Sequence, residues 1–235
     1  MNGLNHADVV REQYAREDNL RARQALYAET EGVDPREVLW DVLVELAPRR
    51  VLEVGGGPGE LSERMQRELH VDLRFVDVSP RMVELARARG VEAQVGDVQE
   101  LPFADDSFDT VVAAWMLYHL PDLERGLAEI ARVLEPGGRL VAVTNSIDHL
   151  RELRKLLLHS VGFERAFSRE NGEAHLRRHF AHVERRDADG TAVVRDRDRL
   201  VAYRGSLSVD SRPIPERVDL PFVVQRRSSV FVAGT

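Results

Sequence analysis

The sequence predicts an α/β protein built on a doubly wound, mostly parallel sheet. Short apolar runs alternate with segments of helical periodicity between residues 49 and 144, a pattern that favours a parallel sheet. Phe108 to Trp115 is a nearly continuous apolar run, which is typical of a central parallel strand buried on both faces. The glycines at 55, 56, 57 and 59 lie between an apolar run and a helical one. This order predicts a strand, a tight turn and a helix.

Short sequence signals predict the helices and strands one by one. Asp34-Pro35-Arg36-Glu37 has an acidic cap, proline at the first helical position and glutamate three residues after the cap, so it predicts a helix start. Residues 6–31 precede it and predict one or two helices with a weak apolar stripe. Ser79-Pro80 predicts a second capped helix. The predicted strands are 49–54, 71–77, 91–95, 108–115 and 139–144.

After residue 145 the pattern is less regular. We predict helices over 147–158, 170–180 and 196–207, a hairpin that pairs 183–186 with 191–194 across Asp187 to Gly190, and a last strand over 225–232. With no internal repeat or clear linker, one structural domain is expected. Its parts are an N-terminal helical lid (1–48), a cofactor-binding core (49–145) and a C-terminal segment (146–235) that caps the site and completes the sheet.

Composition limits the class of protein. The chain has 235 residues, 43% hydrophobic residues and a formal charge of −7, which argues against general nucleic-acid affinity. It has no cysteine, which excludes disulfides, thiolate zinc sites and cysteine nucleophiles. No apolar run predicts a membrane span or signal peptide, so we expect a cytoplasmic protein. Lys155 is the only lysine among 33 basic residues, which indicates a GC-rich, bacterial genome.

The glycine turn predicts a nucleotide-like ligand at the carboxyl end of a strand. The dinucleotide pattern G-x-G-x-x-G fails, because its third glycine falls on Glu60 and an acid there repels a pyrophosphate. The Gly-Lys-Ser/Thr ending of a phosphate loop is also missing. Glu53 instead lies two residues before Gly55, and a carboxylate suits a cationic ligand better than a phosphate.

These residues together resemble the class I S-adenosylmethionine-dependent methyltransferases. The family's E/D-x-G-x-G-x-G signature is matched by residues 53–59, its acid at the end of the second strand by Asp77, and its Gly-Asp after the third strand by Gly96-Asp97. Residues 101–103, 107–109 and 132–138 further resemble the subgroup of quinone-biosynthesis C-methyltransferases. The resemblance covers about residues 51–145 and implies a Rossmann-like sheet of about seven strands.

The resemblance implies a role for each cofactor-binding position. Asp77 would accept both ribose hydroxyls, and Asp97 and the Val98 backbone N–H would bind adenine. Val78 and Met82 would sandwich the adenine ring. Glu53 would lie near the methionine amino group or orient the glycine loop, and the Ala114 carbonyl would reach the same ammonium. The full predicted set is Glu53, Gly55, Gly57, Gly59, Asp77, Val78, Met82, Asp97, Val98 and Ala114, with S-adenosylhomocysteine as the product.

In this family the residues after the fourth strand face the transferred methyl. We predict His119 as general base or acceptor-orienting group, with Tyr118 as a second catalytic candidate. A structural hydrogen bond is the alternative role for His119. Tyr14 and Trp115 are predicted to line the acceptor pocket. Ala113-Ala114-Trp115-Met116 stands in place of the Asn/Asp-Pro-Pro-Tyr run of base and glutamine methyltransferases, which favours a small-molecule acceptor.

Other patterns lead to open alternatives. His175, His179 and His182 have a spacing that would align imidazoles on a helix, but no carboxylate motif completes a metal site, so we predict no metal. Arg16, Arg21 and Arg23 form either a lid over an anionic group or a solvated face. An RNA methyltransferase and a cofactor-binding partner protein without catalysis stay open, followed by an NAD-dependent oxidoreductase. No nucleic-acid or membrane partner is expected, and the protein is a monomer or a homodimer.

Overall fold

The computed structural model describes residues 29–159, 165–207 and 211–235. Within them one mixed sheet has eight strands in the order β1-β7-β8-β6-β5-β2-β3-β4. The strands are β1 (Thr30–Gly32), β2 (Arg50–Val54), β3 (Asp72–Asp77), β4 (Ala93–Val95), β5 (Phe108–Ala114), β6 (Leu134–Asn145), β7 (His182–Val194) and β8 (Phe222–Gly234). Strands β2 to β6 are parallel, whereas β8, β7 and β1 join antiparallel to their neighbours.

Helices flank this sheet, and several begin at a residue that caps them. They are α1 (Pro35–Leu46), α2 (Glu60–Leu69), α3 (Pro80–Ala88), α4 (Leu123–Val133), α5 (Arg151–Leu157), α6 (Gly172–Leu176) and α7 (Arg197–Gly205), with a 3₁₀ turn at Leu117–His119. Asp34 accepts the Arg36 backbone N–H at 2.9 Å, so the capped start of α1 forms as predicted. Asp122 and Asp196 cap α4 and α7 in the same way. Among the described residues, none of the helices combines the length and the apolar character needed to cross a bilayer.

Helices cover both faces of the parallel strands. Leu43 of α1, Met65 of α2 and Val83 of α3 pack with Phe75 of β3 on one face, while the apolar side of α4, including Leu127, packs with β5 and β6 on the other. Both faces of the central strands are therefore buried, as the continuous apolar run 108–115 predicts. The predicted fold class is confirmed.

The chain order places a ligand site at one edge of the sheet. Strand β2 lies between β3 and β5, so the first two crossovers run to one side of β2 and the next two strands lie on its other side. The carboxyl ends of β2 and β5 separate at this switch point, where open α/β sheets bind ligands. The glycine turn at 55–59 follows β2 directly.

The predicted hairpin between 183–186 and 191–194 is wrong. Residues 182–194 form one continuous strand that pairs along its whole length with β8, from His182 opposite Gly234 to Val194 opposite Phe222. Gly190 does not turn the chain: a Cβ there would come within 2.2 Å of the Glu31 carbonyl oxygen. This glycine is required because the backbone of β1, which pairs antiparallel with β7, comes very close to it there.

Three further predictions are adjusted by the structure. The helices predicted over 147–158 and 170–180 are shorter, at α5 and α6. The described residues contain eight strands, against about seven expected, and β1 at Thr30–Gly32 takes up the end of the segment predicted as helical over 6–31. The rest of that segment lies outside the described residues.

A third apolar cluster covers the far part of the β7–β8 ribbon. Leu153 and Leu157 of α5 and Leu200 of α7 pack against Ala192 of β7 and Val224 of β8. Strand β6 ends at Asn145, opposite Ser228, so this part of the ribbon extends beyond the carboxyl edge of the parallel strands.

Candidate functional site

The glycine turn after β2 has a backbone that side chains would strain. Gly55 and Gly57 both have positive φ, at 64° and 59°, a conformation that favours glycine. The Gly55 N–H donates to the Val76 carbonyl at 2.8 Å, and a Cβ on Gly55 would come within 2.8 Å of Met116. A Cβ on Gly57 would meet nothing within 4 Å. Gly57 therefore presents its backbone to open space.

Asp77 ends β3 beside this turn and is 8% exposed. Its carboxylate accepts the backbone N–H of Ser79 at 2.8 Å and that of Gly57 at 3.3 Å. Burial raises the pKa of Asp77 to about 6, although the two backbone hydrogen bonds act in the opposite direction. The side chain is therefore held in one orientation.

Glu53 lies beneath the turn and is 1% exposed. It accepts a hydrogen bond from the Ser62 hydroxyl, and a Cβ on Gly56 would come within 2.4 Å of the Glu53 Cδ. Burial raises the pKa of Glu53 to about 7, and the nearby Asp77 charge adds to that rise. The carboxyl group thus supports the turn from below and also lies at the wall of the cavity described next.

A cavity of about 420 Å³ opens at this edge of the sheet, which is within the usual range for a small-ligand site. Loops after β2, β3, β4 and β5 supply most of its wall. Of the predicted cofactor-binding residues, its lining contains Glu53, Gly55, Gly57, Asp77, Val78, Met82, Asp97, Val98 and Ala114.

One end of the cavity is mainly apolar. Met82 and Val98 are buried there, at 1% and 5% exposed, and Val78 is half-buried. Asp97 is exposed at the rim, where it accepts the Gln99 backbone N–H at 2.9 Å. An apolar wall beside an exposed carboxylate suits a heteroaromatic base.

The other end of the cavity is lined by Trp115, Met116 and His119. Trp115 has a φ of 55°, an uncommon conformation for a bulky residue and one that tends to occur at functional sites. Its indole N–H donates to the Asn145 Oδ1 at 3.3 Å, and the same oxygen accepts the Ser228 hydroxyl at 2.8 Å. Asn145 and Ser228 thereby fix the indole of the predicted acceptor-site residue.

His119 and Tyr118 differ in position. The ring of His119 reaches the cavity, whereas Tyr118 is outside the set of described residues that line it and packs against the α4 side of the core. The two ring centroids lie 4.5 Å apart. The guanidinium carbon of Arg165 lies over the Tyr118 ring, 4.8 Å from its centroid. His119 is therefore better placed than Tyr118 to contact a reacting atom.

Gly59 is also placed outside the described lining. A Cβ there would come within 2.8 Å of the Ala86 Cβ, so this glycine allows α2 to pack closely on α3. Tyr14 and the arginines at 16, 21 and 23 lie outside the described residues.

Two arginines of the lining were not singled out by sequence reasoning. Arg36 of α1 and Arg64 of α2 both border the cavity near the glycine turn, and the Arg64 guanidinium lies 3.7 Å from the centroid of the Trp40 ring. Arg36 was interpreted as part of the capped helix start. The α1 sequence alone carries no signal for which element its first turn faces, because that depends on packing across the sheet.

The histidines with helical spacing have another role. His175 Nδ1 and His179 Nε2 lie 2.6 Å and 2.9 Å from the two carboxylate oxygens of Glu124, and Arg178 donates to the same carboxylate. His182 instead begins β7. Within the described residues no group of three or more His, Asp or Glu is arranged to hold a metal ion.

Comparison with known proteins agrees with this geometry. Residues 52–142 match a family described as "Methyltransferase domain". Over these residues the chain is similar to methyltransferase domains. The matched segment begins in β2 and ends in β6, so it includes the glycine turn, Asp77, Asp97 and His119.

Relatives of known sequence carry the same description. The chain is 38% identical over 129 residues to an uncharacterized methyltransferase of Mycobacterium bovis, covering 52% of this chain and 51% of that one. It is 41% identical over 102 residues to a demethylmenaquinone methyltransferase of Deinococcus radiodurans, covering 40% and 42%. The match thus spans about half the length of these relatives. The predicted resemblance to methyltransferases is confirmed over these residues.

Solved structures support the fold. The YcgJ protein of Bacillus subtilis superposes with a TM-score of 0.63 at 19% identity, over 85% of this chain and 98% of that one. At this identity the likeness concerns the architecture alone, which is Rossmann-like.

Proposed function

We propose that this protein transfers the methyl group of S-adenosylmethionine to an N, O or C atom of a small molecule. The observation that carries the proposal is the junction of Gly57 and Asp77 at the wall of the cavity. It joins a side-chain-free backbone surface to a buried, oriented carboxylate, which is the pair of features needed to hold a ribose and the chain attached to it.

The cavity fits this cofactor along its length. The apolar slot of Met82, Val78 and Val98 suits adenine, with Asp97 at the rim for the exocyclic amine. Glu53 supports the far end, where a cationic amino group and sulfonium would be stabilised by the acidic wall. Arg36 and Arg64 border the turn and suit the carboxylate of the same ligand.

In methyl transfer the main task of the protein is to align the acceptor with the methyl group. The cofactor, when bound, supplies an already activated methyl group for in-line displacement. Trp115, fixed by Asn145, would hold the acceptor against it and exclude water, and alignment of this kind lowers a barrier by several kcal/mol. His119 reaches the same end of the cavity and would take a proton where the acceptor loses one.

Residues 1–48 and 146–235 flank the core, and we assign recognition of the acceptor to them. A small molecule is favoured over RNA because the chain is acidic overall, with a formal charge of −7.

Calorimetry with S-adenosylhomocysteine tests the proposal. We expect saturable binding that Asp77→Ala weakens at least tenfold, since charged hydrogen bonds of this type contribute about 1.5–3 kcal/mol. Asp72→Ala is the matched control, because that carboxylate begins the same strand and is 62% exposed. Absence of binding to the wild-type protein, or equal binding by the Asp77 variant, would sink the proposal.

A further inference from the structure

A group of cationic side chains follows β6 on the acceptor side of the fold. Arg154 of α5 is 8% exposed. One of its nitrogens donates to the Ile147 carbonyl, but its Nε and Nη1 are buried and have no hydrogen-bond partner. Buried polar groups are normally paired, and a buried charge more so. Two donors of Arg154 therefore have no acceptor among the described residues.

Arg165, whose charge acts on Arg154, also has an unpaired buried nitrogen. Its Nε is also buried without a hydrogen-bond partner, while its guanidinium carbon lies 4.8 Å from the centroid of the Tyr118 ring. Tyr118 in turn lies 4.5 Å, between ring centroids, from His119, which lines the cofactor cavity. Two ring contacts thus connect this cationic group to the place where methyl transfer would occur.

Burial, with the charge of Arg165, lowers the pKa of Arg154, although Tyr203 and Asp148, among the described residues, act to raise it. The His149 Nδ1 lies 3.0 Å from the Arg227 backbone nitrogen, whose N–H it accepts, and 3.1 Å from the Arg227 carbonyl oxygen. Burial lowers the pKa of His149 to about 3, with further lowering by the charges of Arg165, Arg154 and Arg226.

Among the described residues, Asp148 is the carboxylate that acts on the charge of Arg154, and two other arginines share it. Asp148 pairs with Arg151 at 3.4 Å and with Arg227 at 4.0 Å. Positive charge therefore accumulates around His149, in a part of the fold from which water is largely excluded.

We propose that Arg154 and Arg165 form an oxyanion subsite that binds a carboxylate or phosphate group of the methyl acceptor. This inference rests on the proposed methyl transfer and names the class of its acceptor, a small organic anion. Guanidinium groups suit both oxyanions, and a bound anion would supply the acceptors that these buried donors lack and would offset the positive charge around them. A polyanionic nucleic acid would instead require an exposed basic face, whereas these nitrogens are buried.

Thermal unfolding of the full chain with defined anions tests the subsite. The probes are inorganic phosphate and benzoate, with benzamide as the uncharged analogue of benzoate, all at constant ionic strength. At ten times its Kd, a bound anion should raise the Tm by about 3–6 °C. We expect saturable rises with phosphate or benzoate and none with benzamide, and the stronger of the two anions identifies the group recognised.

Variants connect the effect to the arginines. Arg154→Gln should raise the Kd of the preferred anion at least tenfold, and Arg165→Gln should do the same. Arg177→Gln is the matched control, because that arginine is 53% exposed and pairs with Glu173. It also corrects for the general stabilisation that phosphate gives any protein. Should Arg154→Gln fail to fold, the Arg165 variant alone decides.

The outcomes separate this inference from the proposed function. Equal stabilisation by benzamide, no anion effect, or an unchanged anion effect in a folded arginine variant overturns the subsite. Calorimetry with S-adenosylhomocysteine on the same preparations should give Kd values within twofold for wild type and Arg154→Gln. If the wild type binds the anion but not this nucleoside, the methyltransferase proposal fails and the acceptor assignment falls with it. If it binds the nucleoside but not the anion, only the subsite fails.

Discussion

The backbone N–H of Gly57 donates to the Asp77 Oδ2 at 3.3 Å, and this contact joins the turn after β2 to the last residue of β3. Asp77 also accepts the Ser79 N–H at 2.8 Å. One carboxylate therefore orders the glycine turn and the first turn of α3 together. Changes at either residue should affect the cofactor site more than they affect the rest of the fold.

Replacement of Gly57 by alanine should separate backbone strain from ligand contact. Gly57 and Gly137 both have positive φ, 59° and 83°, and in both places a Cβ would meet nothing within 4 Å. Each alanine variant should lose about 1 kcal/mol of unfolding free energy. Only Gly57→Ala should also weaken S-adenosylhomocysteine binding, by at least tenfold, because its methyl group enters the cavity. Equal affinities of the two variants in calorimetry would contradict this role for the turn.

Glu53 should make the protein less stable as pH rises. Its pKa is about 7 in the folded state and 4.5 when unperturbed, so the native state binds the proton more tightly. The associated stability is fully present below pH 4.5 and is lost as pH rises through 7, by roughly 3 kcal/mol. Glu53→Gln keeps an acceptor for the Ser62 hydroxyl and has no such loss. Urea unfolding should show that the wild type loses more unfolding free energy than the variant between pH 5 and pH 8. An equal loss in both proteins would refute the assignment.

His149 should act in the opposite direction on the acid side. Its pKa is about 3 in the folded state against 6.5 unperturbed, so stability is present above pH 6.5 and is lost as pH falls towards 3. His149→Asn retains an acceptor for the Arg227 N–H without the titration. The variant should therefore lose less stability than the wild type between pH 6.5 and 4. A wild-type loss matched by the variant in this range would show that other groups dominate.

His119 should matter for the chemical step rather than for cofactor binding. Single-turnover methyl transfer, with the acceptor identified from labelled cofactor in a bacterial extract, should slow at least about a hundredfold in His119→Ala if the imidazole takes the proton. His175→Ala is the control, because its ring contacts Glu124 and not the cavity. An unchanged rate for the His119 variant removes this residue from the mechanism and leaves it a structural hydrogen bond.

The parallel core was predictable because its signals are local. A buried strand, a glycine turn and a capped helix each lie within about ten residues. The position of Asp77 could be predicted because it is the last residue of a strand. The β7–β8 ribbon was mispredicted because Asp187 to Gly190 has turn composition, while its structure depends on pairing with residues 222–228 far along the chain. The composition of residues 187–190 therefore cannot reveal a pairing partner that lies so far away in the sequence.

The cationic group was missed for a related reason. Arg154 and Arg165 are ordinary arginines in sequence, in a chain whose basic residues are nearly all arginine. Their significance comes from burial and from the absence of hydrogen-bond partners for three nitrogens in the described structure, and neither can be read from spacing. Arg36 and Arg64 reach the cavity through helix packing in the same way.

The β7–β8 ribbon divides the sheet into two parts with separate tasks. Residues 228–234 of β8 pair with Arg139 to Asn145 of β6 as well as with β7, whereas residues 222–227 of β8 pair with β7 alone. Substitutions or length changes in the outer half of the ribbon can therefore be accommodated while the strands that carry Glu53 and Asp77 keep their register. Such an arrangement is suited to divergence: under the proposed function, the ribbon and the helices on it could change, by evolution or by design, without rebuilding the strands around the glycine turn.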